Sequence, residues 1–67
     1  MLTKIRTYQT LIRRERAALD SLRSLHRYFL RNAEQLDDQQ RETFRHRITA
    51  TLASYNTARA ARVSFAF

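Results

Sequence analysis

Arginine is the residue type with the clearest chemical use in this sequence. The chain of 67 residues carries 13 Lys and Arg against six Asp and Glu, for a formal net charge of +7. Lys4 is the only lysine. Guanidinium groups form bidentate contacts with phosphates and carboxylates, so the charge favours a polyanion or an acidic protein as partner. A GC-rich genome would produce the same arginine bias with no function attached.

Several arginines follow one flank of a predicted N-terminal helix. At 1.5 Å per residue they extend over about 30 Å, a length along which a nucleic-acid backbone could lie. We call this row the arginine stripe, and it consists of Arg6, Arg13, Arg16, Arg23 and Arg27. The predicted contact set for a polyanion or an acidic partner adds Arg31, Arg45 and Arg47. The alternative is a solvated face whose charges pair with acidic residues, because no sequence-reading motif is present.

Catalytic and metal-binding chemistry have little support in the sequence. There is no Cys, Gly or Pro, which excludes thiolate metal sites and a Gly-rich phosphate loop. No nucleophile, base and orienting group can be assembled, so we expect no enzymatic activity, no catalytic residue and no cofactor. His26 and His46 would lie near one level of a hairpin, but helix-borne metal sites normally supply several ligands at i, i+3 or i, i+4 spacing. We therefore expect no metal.

The spacing of apolar residues predicts a long first helix over about residues 3–35. Apolar side chains recur at heptad positions a, d and g, a stripe broad enough to contact two neighbouring helices. Its members are Ile5, Tyr8, Leu11, Ile12, Ala18, Leu19, Leu22, Leu25, Phe29, Ala33 and Leu36. Glu15 and His26 occupy two core-facing positions of this stripe, and we interpret them as polar positions that define the packing register.

A break in the apolar pattern predicts a turn at about residues 36–38. Asp37 and Gln40 have capping-box spacing, and Asp38 places negative charge at the start of the next helix. A second helix is expected over about residues 39–62, with a weaker stripe formed by Phe44, Ile48, Thr51, Leu52, Tyr55 and Ala58. Because nothing here is a strong helix breaker, one continuous helix of about 60 residues in a parallel coiled coil is the alternative.

The expected fold is all-α: an antiparallel two-helix hairpin forming a single domain over residues 1–67. A chain this short, without disulfides, buries too little apolar surface to offset its conformational entropy. We therefore expect completion as a four-helix bundle, by dimerisation or by docking on partner helices. The predicted core and oligomer interface consists of Ile12, Leu19, Leu22, Phe29, Phe44 and Ile48.

The last five residues, 63–67, form an apolar tail that needs a contact. Two exposed aromatic side chains, Phe65 and Phe67, would promote association, so either the open end of the hairpin or a separate protein should cover them. Arg59 and Arg62 interrupt the apolar stripe just before the tail. The sequence therefore favours docking of Phe65 and Phe67 on a partner.

The layout of a capped hairpin of two long helices resembles that of ROP-type four-helix bundles, which are small RNA-binding regulators. The resemblance is architectural: it covers roughly residues 3–62 through the apolar spacing and the turn, and no motif carries over a binding site. Small two-helix export chaperones and structural subunits of large particles have similar outlines. We expect a non-enzymatic interaction module, namely an adaptor, a regulator or a structural subunit. The alternative is a basic nucleic-acid-binding regulator of ROP-like outline.

The expected location is intracellular and cytoplasmic. No apolar run approaches the roughly 18 residues of a membrane span, and no secretory segment opens the chain. Residues 1–14 are Arg-rich and amphipathic like a mitochondrial presequence, but their periodicity continues into the rest of the first helix. A membrane surface is a weaker partner candidate because the apolar face is needed for helix packing.

Overall fold

The computed structural model describes residues 2–66, which form two long helices packed antiparallel. Helix α1 spans Leu2–Asn32, a 3-10 turn spans Ala33–Gln35, and helix α2 spans Asp38–Val63. The molecule measures 52 × 15 × 12 Å along its principal axes, whereas a continuous helix of 60 residues would be about 90 Å long. The all-α fold and the hairpin are confirmed, and the single continuous helix is wrong.

A reciprocal hydrogen-bonded cap starts α2. The Gln40 backbone N–H donates to Asp37 Oδ1 at 2.7 Å, and the Asp37 backbone N–H donates to Gln40 Oε1 at 3.0 Å. The capping box predicted from the spacing of these two residues is therefore confirmed. It satisfies two backbone donors that the first turn of a helix leaves without partners.

The end of α1 is held by side chains that bond to backbone carbonyls. The Asn32 amide donates to the Tyr28 carbonyl at 2.9 Å. The Arg41 guanidinium reaches back from α2 and donates to the Ala33 carbonyl at 3.0 Å, where a positive charge is favourable at a helix C-terminus. Helix α1 was predicted to extend to about residue 35, but it ends at Asn32, and the next three residues form the tighter 3-10 turn.

The two helices contact each other along their apolar stripes, yet none of residues 2–66 is fully buried. Near the turn, the Phe44 ring stacks on Tyr28 with centroids 5.2 Å apart and lies 6.3 Å from the Phe29 ring. The six residues of the predicted core are all half-buried: Ile12, Leu19, Leu22, Phe29, Phe44 and Ile48. Each helix therefore covers one side of the other and leaves the flanks of the contact open.

The interpretation of His26 as a core-facing residue is wrong. His26 is exposed, and Leu25 is half-buried at this level instead. The g-position residues Leu11, Ala18 and Leu25 are half-buried along α1, whereas the a-position residues are half-buried at Ile12 and Leu19 and exposed at Ile5 and His26. Burial of an imidazole without a hydrogen-bond partner costs free energy, so the neighbouring leucine makes the contact at this level.

Replacement of Leu22 tests the contact between the helices. Because Leu22 is half-buried in the middle of α1, Leu22→Ala should lower the free energy of unfolding by about 2 kcal/mol, the lower end of the range for core truncations. Urea denaturation followed by circular dichroism measures this change. Leu30→Ala is the control, since Leu30 is 68% exposed, and an equal loss in both variants would show that the packed face of α1 has been misassigned.

Candidate interaction surfaces

The arginines predicted to contact a partner all lie on the surface. Arg6, Arg13, Arg16, Arg23, Arg27, Arg31, Arg45 and Arg47 are exposed. Within residues 2–66, the arginines that form ion pairs are Arg41, Arg45 and Arg62, so no arginine of α1 is paired. Helix α1 thus presents a row of unneutralised guanidinium groups to solvent.

Near the turn, two of the predicted arginines already have contacts within the chain. Arg45 pairs with Glu42 at 3.7 Å, and the Arg47 guanidinium carbon lies 5.9 Å from the centre of the Phe44 ring. His46 lies 3.2 Å from another oxygen of Glu42. Because Glu42 neutralises part of this positive charge, the uncompensated arginines are concentrated on α1.

An ion pair between the two helices lies towards the open end of the hairpin. The Arg62 guanidinium donates from Nε and Nη2 to the two carboxylate oxygens of Glu15, with Nη2–Oε1 at 3.2 Å. These residues are 47 positions apart in the sequence. The Glu15 side chain is 14% exposed and the Arg62 side chain 31%. Such a bidentate, half-buried pair constrains the alignment of α1 with α2.

Arg62 interrupts the apolar stripe of α2, yet it is half-buried because it packs against a carboxylate. The sequence contains a signal for this pair: Glu15 and Arg62 are opposite charges on the apolar stripes of two antiparallel helices, at nearly the same level. Charge patterning across the two stripes would have suggested the contact.

The Glu15–Arg62 pair stabilises the charged state of both partners. Hydrogen bonds from Arg62 lower the pKa of Glu15 from its ordinary value of 4.5, partial burial opposes this shift, and the charges of Arg62 and Arg59 add to it. The same hydrogen bonds raise the pKa of Arg62, and the Tyr8 side chain raises it further. Both residues are therefore charged at neutral pH.

The described part of the tail folds back onto α1. The Phe65 ring lies 5.6 Å from the Tyr8 ring at an angle of 59°, and Phe65 is half-buried. Phe67 lies outside the described residues. The argument for docking of Phe65 and Phe67 on a partner assumed that Arg62 could not pack against α1, and the Glu15–Arg62 pair removes that assumption. The main reason for predicting that the tail docks on a partner is thus removed, and docking itself stays a prediction.

Two grooves run beside the contact between the helices. One, which we call the small-residue face, is lined mainly by short side chains; its residues include Leu11, Arg14, Ala18, Ser54, Thr57 and Ala61. The opposite groove has a volume of about 320 Å³ and is lined by Tyr8, Ile12, Glu15, Arg16, Leu19, Tyr55 and Arg62. Its apolar row continues at helical spacing through Ile5 on α1 and through Ile48 and Leu52 on α2. We call this groove, together with its apolar row, the aliphatic face.

Residues 2–66 contain neither a metal-binding cluster nor a membrane-spanning helix. The group of three or more His, Cys, Asp or Glu side chains that a metal ion needs does not occur among residues 2–66. In the same range, neither helix is apolar enough over a sufficient length to cross a membrane. Comparison of the chain with protein-family models, with curated proteins and with solved structures finds no match.

Acidification tests the Glu15–Arg62 pair. Since the pKa of Glu15 is lowered by folding, its contribution to stability is complete above the ordinary pKa of 4.5 and is lost as pH falls through the lower folded-state pKa. Glu15→Gln should lower the melting temperature at pH 7. The melting temperatures of the two proteins should converge as the pH falls from 4.5 through the lower folded-state pKa of Glu15. Thermal melts across this range measure the effect.

The control for this experiment is Glu34→Gln, because Glu34 is exposed and forms no ion pair within the described chain. This variant should keep the acid sensitivity of the original protein. A constant difference in melting temperature between the original protein and Glu15→Gln at every pH would contradict the pairing.

Proposed function

We propose that this protein is a non-enzymatic helical interaction module whose hairpin is completed by further helices. It would act as a small adaptor, a regulator or a structural subunit, and completion by a partner or by a second copy would produce a four-helix bundle. The observation that carries the proposal is the absence of any fully buried residue among residues 2–66. A hairpin without a core gains most of its stability from helices that cover its open faces.

The exposed area supports this proposal. A folded monomer of 8.0 kDa is expected to expose about 4,450 Å², whereas this chain exposes 5593 Å². The excess of about 1,100 Å² per chain is similar to the area that one partner contributes to a large protein–protein interface.

The shape of the molecule leads to the same conclusion. The radius of gyration is 15.5 Å, compared with about 11 Å for a compact domain of this length. Side-by-side addition of a second pair of helices would thicken the rod without lengthening it, which is how four-helix bundles enclose a core. The apolar side chains exposed on both flanks of the hairpin are suitably placed for such an addition.

The stability of the isolated chain tests this function. With half-buried contacts only, the monomer should unfold with a free energy below roughly 3 kcal/mol, and any gain in stability should require association. Sedimentation velocity and urea denaturation over a wide range of protein concentration measure both quantities. A strictly monomeric chain that unfolds cooperatively with more than about 5 kcal/mol, the stability of an ordinary independent domain, would contradict the proposal.

A second candidate function is that of a basic nucleic-acid-binding regulator of ROP-like outline. The unpaired, exposed arginines of α1 favour it, because they can neutralise phosphates along one side of the rod. Asp20 limits this argument: it lies in the same row, between Arg16 and Arg23, and is exposed. We therefore place the interaction module first.

The salt dependence of binding tests the second candidate. If duplex nucleic acid lies along the arginine stripe, the slope of log K against log salt should change by about 0.9 for each lost phosphate contact. The double variant Arg13→Gln, Arg16→Gln should then reduce the slope by about 1.8, as measured by fluorescence anisotropy. The variant Arg14→Gln, Arg59→Gln removes the same charge outside the stripe and should leave the slope unchanged. Absence of micromolar binding at low salt would eliminate this candidate.

A further inference from the structure

We infer that the aliphatic face binds an acidic amphipathic helix of a partner protein. The inference rests on the proposed function, in which further helices complete the hairpin, and it specifies the chemistry of the partner. It is carried by the juxtaposition of an exposed apolar row with arginines that have no counter-charge within the described chain.

The apolar row provides a binding surface for a helix. On α1, Ile5, Ile12 and Leu19 recur every seven residues, which is about 10.5 Å along the axis. On α2, Tyr55 lines the groove, and Leu52 precedes it by three residues, about one helical turn. Leu52 and Ile5 are each 43% exposed. A helix with apolar residues at heptad positions would contact both α1 and α2 when it lies between them.

The charges beside this row are almost all positive. Arg16 lines the groove, and Arg23 lies one heptad further along the same helix. On α2, Arg59 follows Tyr55 by four residues and is near enough to Glu15 to influence that carboxyl group. These three arginines are exposed and, within residues 2–66, form no ion pair.

The carboxylate of this groove does not neutralise those arginines. Among residues 2–66, the carboxylate that lines the groove is Glu15, and both of its oxygens accept hydrogen bonds from Arg62. A ligand with carboxylates flanking an apolar stripe would therefore match both the apolar row and its charged borders.

Charge also distinguishes an acidic partner from a second copy of this chain. A copy docked on the aliphatic face would bring its own arginines against those of the first chain, and a dimer would double the net charge of +7 per chain. Like charges facing each other at an interface oppose association. An acidic helix removes this repulsion and replaces it with attraction.

The small-residue face should bind a helix less tightly. Its alanine, serine and threonine side chains offer less apolar area than the isoleucine, leucine and tyrosine side chains opposite. Since the favourable free energy of burial scales with apolar area, a partner helix should bind more tightly to the aliphatic face than to the small-residue face. This difference provides matched control positions on the same two helices.

A synthetic peptide provides the probe for this inference. The peptide is an 18-residue amphipathic helix with Leu at heptad positions a and d and Glu at the flanking positions. Two comparison peptides replace every Glu by Lys or scatter the Leu residues around the helix. Fluorescence anisotropy at physiological salt should show that the acidic amphipathic peptide binds at least roughly tenfold tighter than either comparison peptide. The Lys peptide loses the charge complementarity with the arginines, and the peptide with scattered Leu residues loses the apolar stripe.

Paired variants locate the binding site. Arg16→Gln should weaken peptide binding several-fold, and Arg14→Gln should not, because Arg16 and Arg14 lie on the same helix but line opposite grooves. Leu52→Gln should weaken binding likewise, with Thr57→Gln on the small-residue face as its control. Circular dichroism checks that each variant retains the helix content of the original protein.

The outcomes separate this inference from the function on which it rests. If the chain forms a dimer that Leu52→Gln disrupts and the acidic peptide does not bind, a second copy occupies the face: the inference fails while the proposed function stands. A stable monomer that binds no peptide overturns both. Equal weakening by Arg14→Gln and Arg16→Gln, or Arg16-dependent binding of duplex DNA in place of the peptide, also overturns the inference.

Discussion

Two helices packed side by side can cover only one strip of each other, and most properties of this protein follow from that geometric constraint. The apolar stripes of α1 and α2 are wider than the strip that one neighbour covers, so Ile5 and Leu52 are each 43% exposed, and Leu22 and Phe29 are only half-buried. Burial of apolar surface is the main favourable contribution to folding. This incomplete burial is the basis of the proposal that further helices complete the hairpin.

The two ends of the hairpin carry specific polar and aromatic interactions. At the turn, the Asp37–Gln40 capping box starts α2, and Arg41 bonds to the carbonyl of Ala33. At the open end, Glu15 pairs with Arg62, next to the Tyr8–Phe65 ring contact. These interactions constrain the register of the helices without enclosing a core.

The same constraint places arginine and apolar side chains next to each other on the surface. A helix that buries a narrow strip leaves its flanks in solvent, where Arg16 and Arg23 lie beside the exposed part of the apolar row. Guanidinium groups without counter-charges at the border of an apolar groove favour a partner that brings both apolar side chains and carboxylates. The arginine stripe on α1 is also exposed, so phosphate groups can reach it as well.

The sequence by itself determined the features that depend on neighbours within a few positions along the chain. Heptad spacing identified two helices, and the Asp37–Gln40 spacing identified the cap that separates them, because i, i+3 and i, i+4 relations are set by helix geometry alone. The tertiary structure decided the pairing of Glu15 with Arg62, the exposure of His26 and the position of Phe65 on Tyr8. These features depend on the register between α1 and α2. Contacts between residues far apart in the sequence set that register, so the spacing of neighbouring residues does not determine it.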